Sequence, residues 1–210
     1  MSLLDTAPPL MIAAAVPNAV PSAIAAYTHY FALLLTGACL TAERLTIKPA
    51  MSMEEEKTMA IADALYGVAG LLVVSSGYFR VTQYGKGWEF YAHEPIFWVK
   101  LLLVAVAGAA SFFPTIKIIQ RSVAQRNAGD VPIAPMSEKL AARMTSIINA
   151  ELLAIASIPL AATFMSRGVG YAEWLPWQAG AAPATLALGG LGFKYVKEAL
   201  DWTEDETPAA

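Results

Sequence analysis

The chain has 210 residues, of which 57% are hydrophobic and only 15% are charged, and its mean hydropathy is +0.50. This composition is far more apolar than that of an ordinary soluble domain, so it predicts one small integral membrane domain. The net charge of -3 and the pI near 5.4 provide no broad basic field, which argues against nucleic acid as a partner. The single cysteine, Cys39, excludes an internal disulfide and a cysteine-cluster metal site.

Four apolar runs are long enough to cross a bilayer core of about 30 Å as helices. A fifth run, at about 179–196, is shorter, rich in glycine and interrupted by a proline, so it could span, re-enter or lie on the surface, and spanning is favoured. The expected fold class is therefore all-α, an integral membrane bundle of four transmembrane helices with a short fifth C-terminal helix. The four long runs are residues 25–45, 60–79, 96–118 and 140–165.

The distribution of Lys and Arg predicts the orientation, because cytoplasm-type faces are enriched in these residues. The first and third connections between the runs carry most of them, whereas the segment before the first run carries none. We therefore expect these two connections on an inner, cytoplasm-type face and the N-terminus on the outer face. Inner and outer are used in this sense throughout.

Three parts follow one another along the chain. Residues 1–24 form an apolar N-terminal extension, which lacks the basic start of a secretory signal and is expected to be retained. Residues 25–170 form the four-helix membrane domain. Residues 171–210 form a C-terminal extension with the fifth run and an acidic tail, which is expected to be solvated and partly disordered.

Ionisable side chains within the apolar runs are the strongest functional signal, since a charge in hydrocarbon costs at least about 2.5–3.5 kcal/mol on insertion scales. They are His29, Asp63, Lys100 and Glu151, one in each run. With a rise of 1.5 Å per residue, His29 and Lys100 fall at a similar depth in the outer half and could share a site. Asp63 falls near the inner end with Arg44, and these two are expected to form a structural pair that joins two helices.

Glu151 lies near the middle of the fourth run and has no obvious partner at its depth. It is expected to be protonated or bonded to Thr36, Asn149 or Ser157. The alternative for all of these polar residues is a purely structural role, because interhelical hydrogen bonds in lipid also specify packing.

Axial ligation is the functional interpretation of His29, because neutral imidazole is a common ligand of haem iron in helical bundles. Lys100 could supply a second ligand if its amine is neutral. Chlorophyll ligation by His29 is chemically open as well. Copper or zinc would need more histidine or carboxylate ligands than this depth offers, so no metal-ion site is expected.

Five stretches of the chain carry a family resemblance: YTHYFALLLTGACLTAERLTI, DALYGVAGLLVVSSGYFRV, YGKGWEFYAHEPIFWVKLLL, SFFPTIKII and IPLAATFMSRGVGY. They resemble the uncharacterised membrane-protein family called domain of unknown function 2214, which occurs in bacteria, cyanobacteria and plastids. The resemblance covers about residues 26–171 and implies a four-helix membrane protein without an established activity.

A more distant likeness is to the HemJ-type membrane protoporphyrinogen oxidases. Their first helix carries a His followed by an Arg at its far end, as His29 and Arg44 do here, and a later helix begins with Trp and Lys, as FWVK with Lys100 does. This likeness implies haem b held by His29 and Lys100. The further histidines and basic residues of that family's pattern are not evident in this chain.

Three hypotheses of function follow from these patterns. The first is a non-enzymatic auxiliary or structural subunit of a larger membrane complex, in contact with lipids and other subunits. The plastid and cyanobacterial relatives point to a photosystem, and hence to a thylakoid or a bacterial inner membrane. The second is a haem b-binding membrane oxidoreductase that uses His29 and Lys100. The third is a proton or ion carrier that uses Asp63 and Glu151.

Overall fold

The computed structural model of the protein describes residues 18–203, and within this range the regular structure is entirely helical. Most of the predicted N-terminal extension and the end of the acidic tail lie outside the described residues. The helices are α1 (Ala19–Thr46), α2 (Met53–Phe79), α3 (Trp88–Ala92), α4 (Pro95–Ala110), α5 (Phe112–Ala128), α6 (Glu138–Ser166) and α7 (Trp177–Asp201), with a π-helical turn (Arg80–Tyr84) directly after α2.

Four helical segments among the described residues are long and apolar enough to cross a membrane, which confirms the predicted fold class. Each is longer than its apolar run in the sequence. The 28 residues of α1, for example, extend about 42 Å at 1.5 Å per residue. The segments are Ala19–Thr46, Met53–Tyr84, Pro95–Ala128 and Glu138–Ser166.

Two spans begin at the inner face with side-chain caps. The Ser52 hydroxyl accepts a hydrogen bond from the Glu55 N–H, and the Glu55 carboxylate accepts one from the Ser52 N–H, which together form a capping box. The Ser137 hydroxyl accepts a hydrogen bond from the Leu140 N–H at 3.1 Å and caps α6. Both caps satisfy backbone donors that a helix start leaves without partners.

The third span passes from α4 to α5 at Ser111, where the backbone keeps right-handed helical angles (φ -61°, ψ -21°). Pro114 has no N–H and cannot donate to the carbonyl of Ala110, so one hydrogen bond of the helix is missing there. The Ser111 hydroxyl donates to the Gly108 carbonyl at 2.8 Å. The sequence predicted one helical span here, and Pro95–Ala128 is such a span.

The helices pack in an order that leaves one gap. α1 packs on α2 and α6, α6 packs on α4, and α2 packs on α5 in the inner half. The outer halves of α2 and α4 face each other across a cleft. The main hydrophobic core lies in the inner half, and its fully buried members include Leu40, Phe113, Met144 and Ile148.

The C-terminal helix α7 lies beside α4 and α5, outside the ring of the four spans. Near its outer end the backbone of Gly180 meets Trp98 so closely that a Cβ there would lie 2.0 Å from the indole Cγ. Near its inner end Glu198 accepts two hydrogen bonds from Arg143, at 2.6 and 2.8 Å. The predicted short fifth helix is thus 25 residues long and follows the third span. Its crossing of the membrane stays a prediction.

Candidate functional site

A cavity of about 300 Å³ lies between the outer halves of α2 and α4. His29 of α1 and Lys100 of α4 both line it, among largely apolar side chains. Two wall residues on α2, Val74 and Tyr78, are 62% and 63% exposed, so the cavity is a cleft that opens sideways towards the lipid. Its volume is at the lower end of about 300–1,000 Å³ for ligand pockets. The structure therefore brings His29 and Lys100 to one cavity, while their role as ligands stays a prediction.

Hydrogen bonds on one side of the imidazole determine the tautomer of His29. Its Nδ1 lies 3.0 Å from the Val73 carbonyl oxygen and 3.0 Å from Ser76 Oγ. Because a carbonyl oxygen only accepts, Nδ1 carries the hydrogen. Ser76 donates its own hydroxyl hydrogen to the Leu72 carbonyl, so its oxygen can accept. In the neutral ring the lone pair is then on Nε2, the nitrogen that remains for a ligand.

Gly77 provides the space for this ring. A Cβ at position 77 would lie 3.1 Å from His29 Cε1 and 3.5 Å from Nδ1. The 3.1 Å distance is tighter than ordinary van der Waals contact, so a side chain at this position would require the imidazole to move away from α2 by a few tenths of an ångström. The sequence showed Gly77 as one of several small residues on α2, but it did not distinguish this contact from the others.

The outer end of the cleft carries positive charge. Lys100 and Arg80 both interact electrostatically with His29, and Lys100 Nζ lies 5.9 Å from the centre of the Phe97 ring. Arg80 donates to the Tyr30 hydroxyl at 3.1 Å, and its guanidinium group lies over the Tyr30 ring. It begins the π-helical turn, an irregularity that is frequent at functional sites. The cleft thus combines apolar walls with a cationic rim.

The outer wall of the cleft is an aromatic cluster around Trp88. Its ring centroid lies 6.5 Å from that of Phe97, 6.0 Å from that of Trp98 and 6.3 Å from that of Trp177 on α7. The other histidine, His93, lies apart from the cleft and its Nδ1 is 2.8 Å from the Leu175 carbonyl oxygen. The aromatic residues around Trp88 pack on one another and link α7 to the cleft.

The inner half contains three buried carboxyl groups on three different helices. Glu43, Asp63 and Glu151 are 1%, 8% and 1% exposed, and Glu43 interacts electrostatically with both of the others. Glu151 Oε1 accepts a hydrogen bond from the Tyr66 hydroxyl at 3.2 Å, a partner that the sequence did not indicate. Glu43 was missed as a site residue, although its spacing of seven residues from Thr36 placed both on one face of α1.

Arg44 and Asp63 have different partners in the structure. The Thr115 hydroxyl donates to Asp63 Oδ1 at 2.6 Å, and Arg44 Nε donates to Asn149 Oδ1 at 2.8 Å. Successive residues on an α-helix point about 100° apart. Glu43 therefore faces the interior, whereas Arg44 does not. The Arg44–Asp63 pair, which was expected because both residues lie at a similar depth in the membrane, is replaced by these two hydrogen bonds.

A family model described as "Predicted membrane protein (DUF2214)" matches residues 21–170. The chain belongs to this family. The match includes the first six helices, and therefore both the cleft and the three buried carboxyl groups, whereas α7 lies beyond it. No curated protein and no solved structure matches the chain.

Proposed function

We propose that this member of the family is a haem-binding membrane protein, with His29 as the axial ligand in the cleft between α2 and α4. The supporting observation is the hydrogen bond from His29 Nδ1 to the Val73 carbonyl, which leaves Nε2 with its lone pair. Bound haem would supply one-electron redox chemistry. The chain itself orients the imidazole through Val73 and Ser76 and leaves room for it at Gly77.

The residues of the cleft fit such a group in two further respects. Its walls are apolar, as a porphyrin face requires, and its opening towards the lipid lets a flat molecule extend beyond the 300 Å³ of the cavity. Lys100 is the candidate second ligand, and together with Arg80 it can alternatively pair with acidic substituents of the ring. This second arrangement would suit haem b and leave its iron with one protein ligand.

The test is an absorption spectrum of the protein expressed with a haem supply and purified in mild detergent. We expect a Soret band, its loss in His29→Ala and its retention in the matched control His93→Ala. In Lys100→Ala the band should shift if Lys100 binds iron, and keep its position if Lys100 pairs with a ring carboxylate. A wild-type protein without the band, or His29→Ala with an unchanged band, would overturn the proposal. A chlorophyll spectrum from native membranes would identify a different pigment.

A second candidate function is an auxiliary subunit of a larger membrane complex, which a specific observation on α2 favours. Gly67 and Gly70 have no atom within 4 Å of the position of a Cβ, so this small-residue face packs against no described helix. Small residues in membrane helices let partner helices approach closely. The resemblance to plastid and cyanobacterial proteins makes a photosystem the first complex to examine, in a thylakoid or a bacterial inner membrane.

Gel electrophoresis of native membranes in mild detergent tests this second candidate. We expect the protein to migrate with a larger complex and the variants Gly67→Leu and Gly70→Leu to release it. Gly189→Leu on α7, also in open space, is the control. Migration of the wild-type protein as a free monomer would contradict an auxiliary role.

A further inference from the structure

The three carboxyl groups of the inner half are a second feature, separate from the haem proposal. α1, α2 and α6 each contribute one of them, and all three side chains are more than nine-tenths buried. We call Glu43, Asp63 and Glu151 the inner acidic cluster. Acidic residues inside a membrane domain are rare because of their cost, and where they occur they often mark paths of protons or ions.

Hydrogen-bond donors satisfy only part of this cluster. Asp63 Oδ1 accepts from Thr115, and Glu151 Oε1 accepts from Tyr66. Glu43 Oε1 and Glu151 Oε2 are fully buried and have no hydrogen-bond partner among residues 18–203. A buried acceptor without a donor is costly. These two oxygens are therefore the positions at which the cluster lacks a hydrogen-bond donor.

The charged and titratable groups around the cluster are directed to other partners or are themselves neutral. On α1, Arg44 donates to Asn149, and Cys39 contributes a thiol one turn from Glu43. On α6, Arg143 pairs with Glu198, and on α5, Lys117 donates to Gln120 at 3.0 Å. On α2, Tyr66 contributes a hydroxyl. The electrostatic interactions that reach the carboxyl groups come from the other carboxyl groups and from Tyr66.

Either a metal ion or protons could balance three carboxylates at this depth, and the geometry favours protons. Within the described part of the chain no three His, Cys, Asp or Glu side chains are grouped so that they could hold a metal ion. A proton needs only one oxygen, and it both removes the charge and supplies the missing donor. Two carboxyl groups that interact also hold a proton more readily than either does alone.

We propose that the inner acidic cluster is a proton-binding site, in which Glu43 Oε1 and Glu151 Oε2 carry exchangeable protons. Each step is a simple transfer: a proton adds to a carboxylate oxygen to give a neutral carboxyl group and leaves again as the carboxylate re-forms. Glu43 lies three residues before Thr46, the last residue of α1, which corresponds to about 4.5 Å along the helix. Exchange is therefore expected with the inner aqueous phase.

Infrared difference spectroscopy of the full chain in lipid, recorded against pH, tests the proposal. A protonated carboxyl group has a carbonyl stretch separate from that of a carboxylate. We expect this band at neutral pH and its gradual loss at alkaline pH, with one component missing in Glu43→Gln and another in Glu151→Gln. Glu94→Gln is the matched control, since Glu94 is fully buried but lies at the outer end of α4. It should leave both components in place.

Absence of the band at neutral pH, or a band that both cluster variants leave unchanged, would overturn the proposal. Gln has nearly the size of Glu, so Glu43→Gln is expected to fold. If it does not, Glu43→Asp is a second variant, which keeps a carboxyl group at this position. It should retain a protonated component at a different pH. Recording the spectra in a His29→Ala background keeps this test independent of the haem proposal, because the cluster does not include His29.

Discussion

The outer and inner halves of the bundle differ both in the sign of their charge and in their access. The outer half has a cleft lined by His29 and Lys100, with Arg80 near its rim, and it opens sideways towards the lipid. The inner half has the acidic cluster, whose side chains are closed off by the helices around it. An open cationic site suits an anionic amphiphilic ligand, whereas a buried acidic site with two unpartnered carboxyl oxygens suits protons.

The third span takes part in both arrangements. α4 carries Lys100 into the cleft and stands away from the outer half of α2, while α5 closes on the inner half of α2 and brings Thr115 to Asp63. The outer part of this span therefore lines the open site, and its inner part helps to close the buried one.

The largest effect on ligand binding is expected from Gly77→Val, which should disable the outer site alone. The new side chain meets His29 at 3.1 Å from its Cε1 and displaces the imidazole from α2. We expect at least a roughly tenfold loss of haem affinity, equivalent to about 1.4 kcal/mol. Titration with haem, followed at the Soret band, measures it.

Gly70→Val is the control for that experiment, because nothing lies within 4 Å of its Cβ position. Its haem affinity should equal that of the wild type. The infrared carboxyl band of the inner acidic cluster should be the same in both variants. If Gly77→Val changes that band, the two halves are coupled and the separation drawn between them is wrong.

Gly180→Leu should have the next largest effect, through the wall of the cleft. Its side chain cannot occupy the same space as Trp98, and overpacking of this kind typically costs about 1–3 kcal/mol. Trp98 contacts Trp88, so the cleft should be disturbed together with the docking of α7. Thermal unfolding in detergent measures the lost stability, and Gly189→Leu, in open space, is the control. Equal melting temperatures for the two variants would show that α7 docks differently.

Local chemistry decided which features of the fold could be predicted from sequence. Hydropathy identified the four spans. Counting residues along a helix placed His29 and Lys100 at one depth. Depth says nothing about rotation around the helix axis, however, so Arg44 was paired with Asp63 and the inward-facing Glu43 was missed.

The continuous third span was predicted correctly from its hydropathy, and Pro114 within it removes one backbone hydrogen bond without ending the span. The hydrogen bond from Tyr66 to Glu151 joins residues 85 positions apart, and no local pattern indicates such a contact. Contacts between helices were therefore the part of the site that sequence could not supply.

A smaller effect is expected from Glu198→Ala, which removes the ion pair with Arg143 at the inner end of α7. This pair is partly exposed, at 31% and 25% for the two side chains, so its loss should cost about 1 kcal/mol. Lys197→Ala is the matched control, since its pair with Asp201 is more than 60% exposed on both sides. Thermal unfolding should separate the two variants. If they are equally stable, the Arg143–Glu198 pair adds nothing to the docking of α7, and the inner end of that helix is held by its apolar contacts.

The smallest effect is expected from Glu94→Gln. This variant tests whether a buried carboxyl group retains a proton without an acidic neighbour. Glu94 lies outside the spans, is fully buried, and neither of its oxygens has a hydrogen-bond partner among the described residues. Burial raises the pKa of its carboxyl group above the ordinary value of 4.5, and the backbone N–H of Ile96 and the positive charge of Lys86 oppose this only in part. The folded protein therefore binds the Glu94 proton more tightly than the unfolded chain does. Stability from this group is consequently lost as the pH rises from about 4.5 through the raised pKa.

Glu94→Gln removes this dependence, so its melting temperature relative to the wild type should increase between pH 4.5 and pH 7. Thermal unfolding of both proteins across that range measures the difference, in which the contributions of the inner acidic cluster cancel. Parallel profiles would mean that Glu94 is solvated. A diverging profile would show that burial alone is enough to hold a proton at the outer end, so that the acidic cluster differs from Glu94 in having several carboxyl groups that interact.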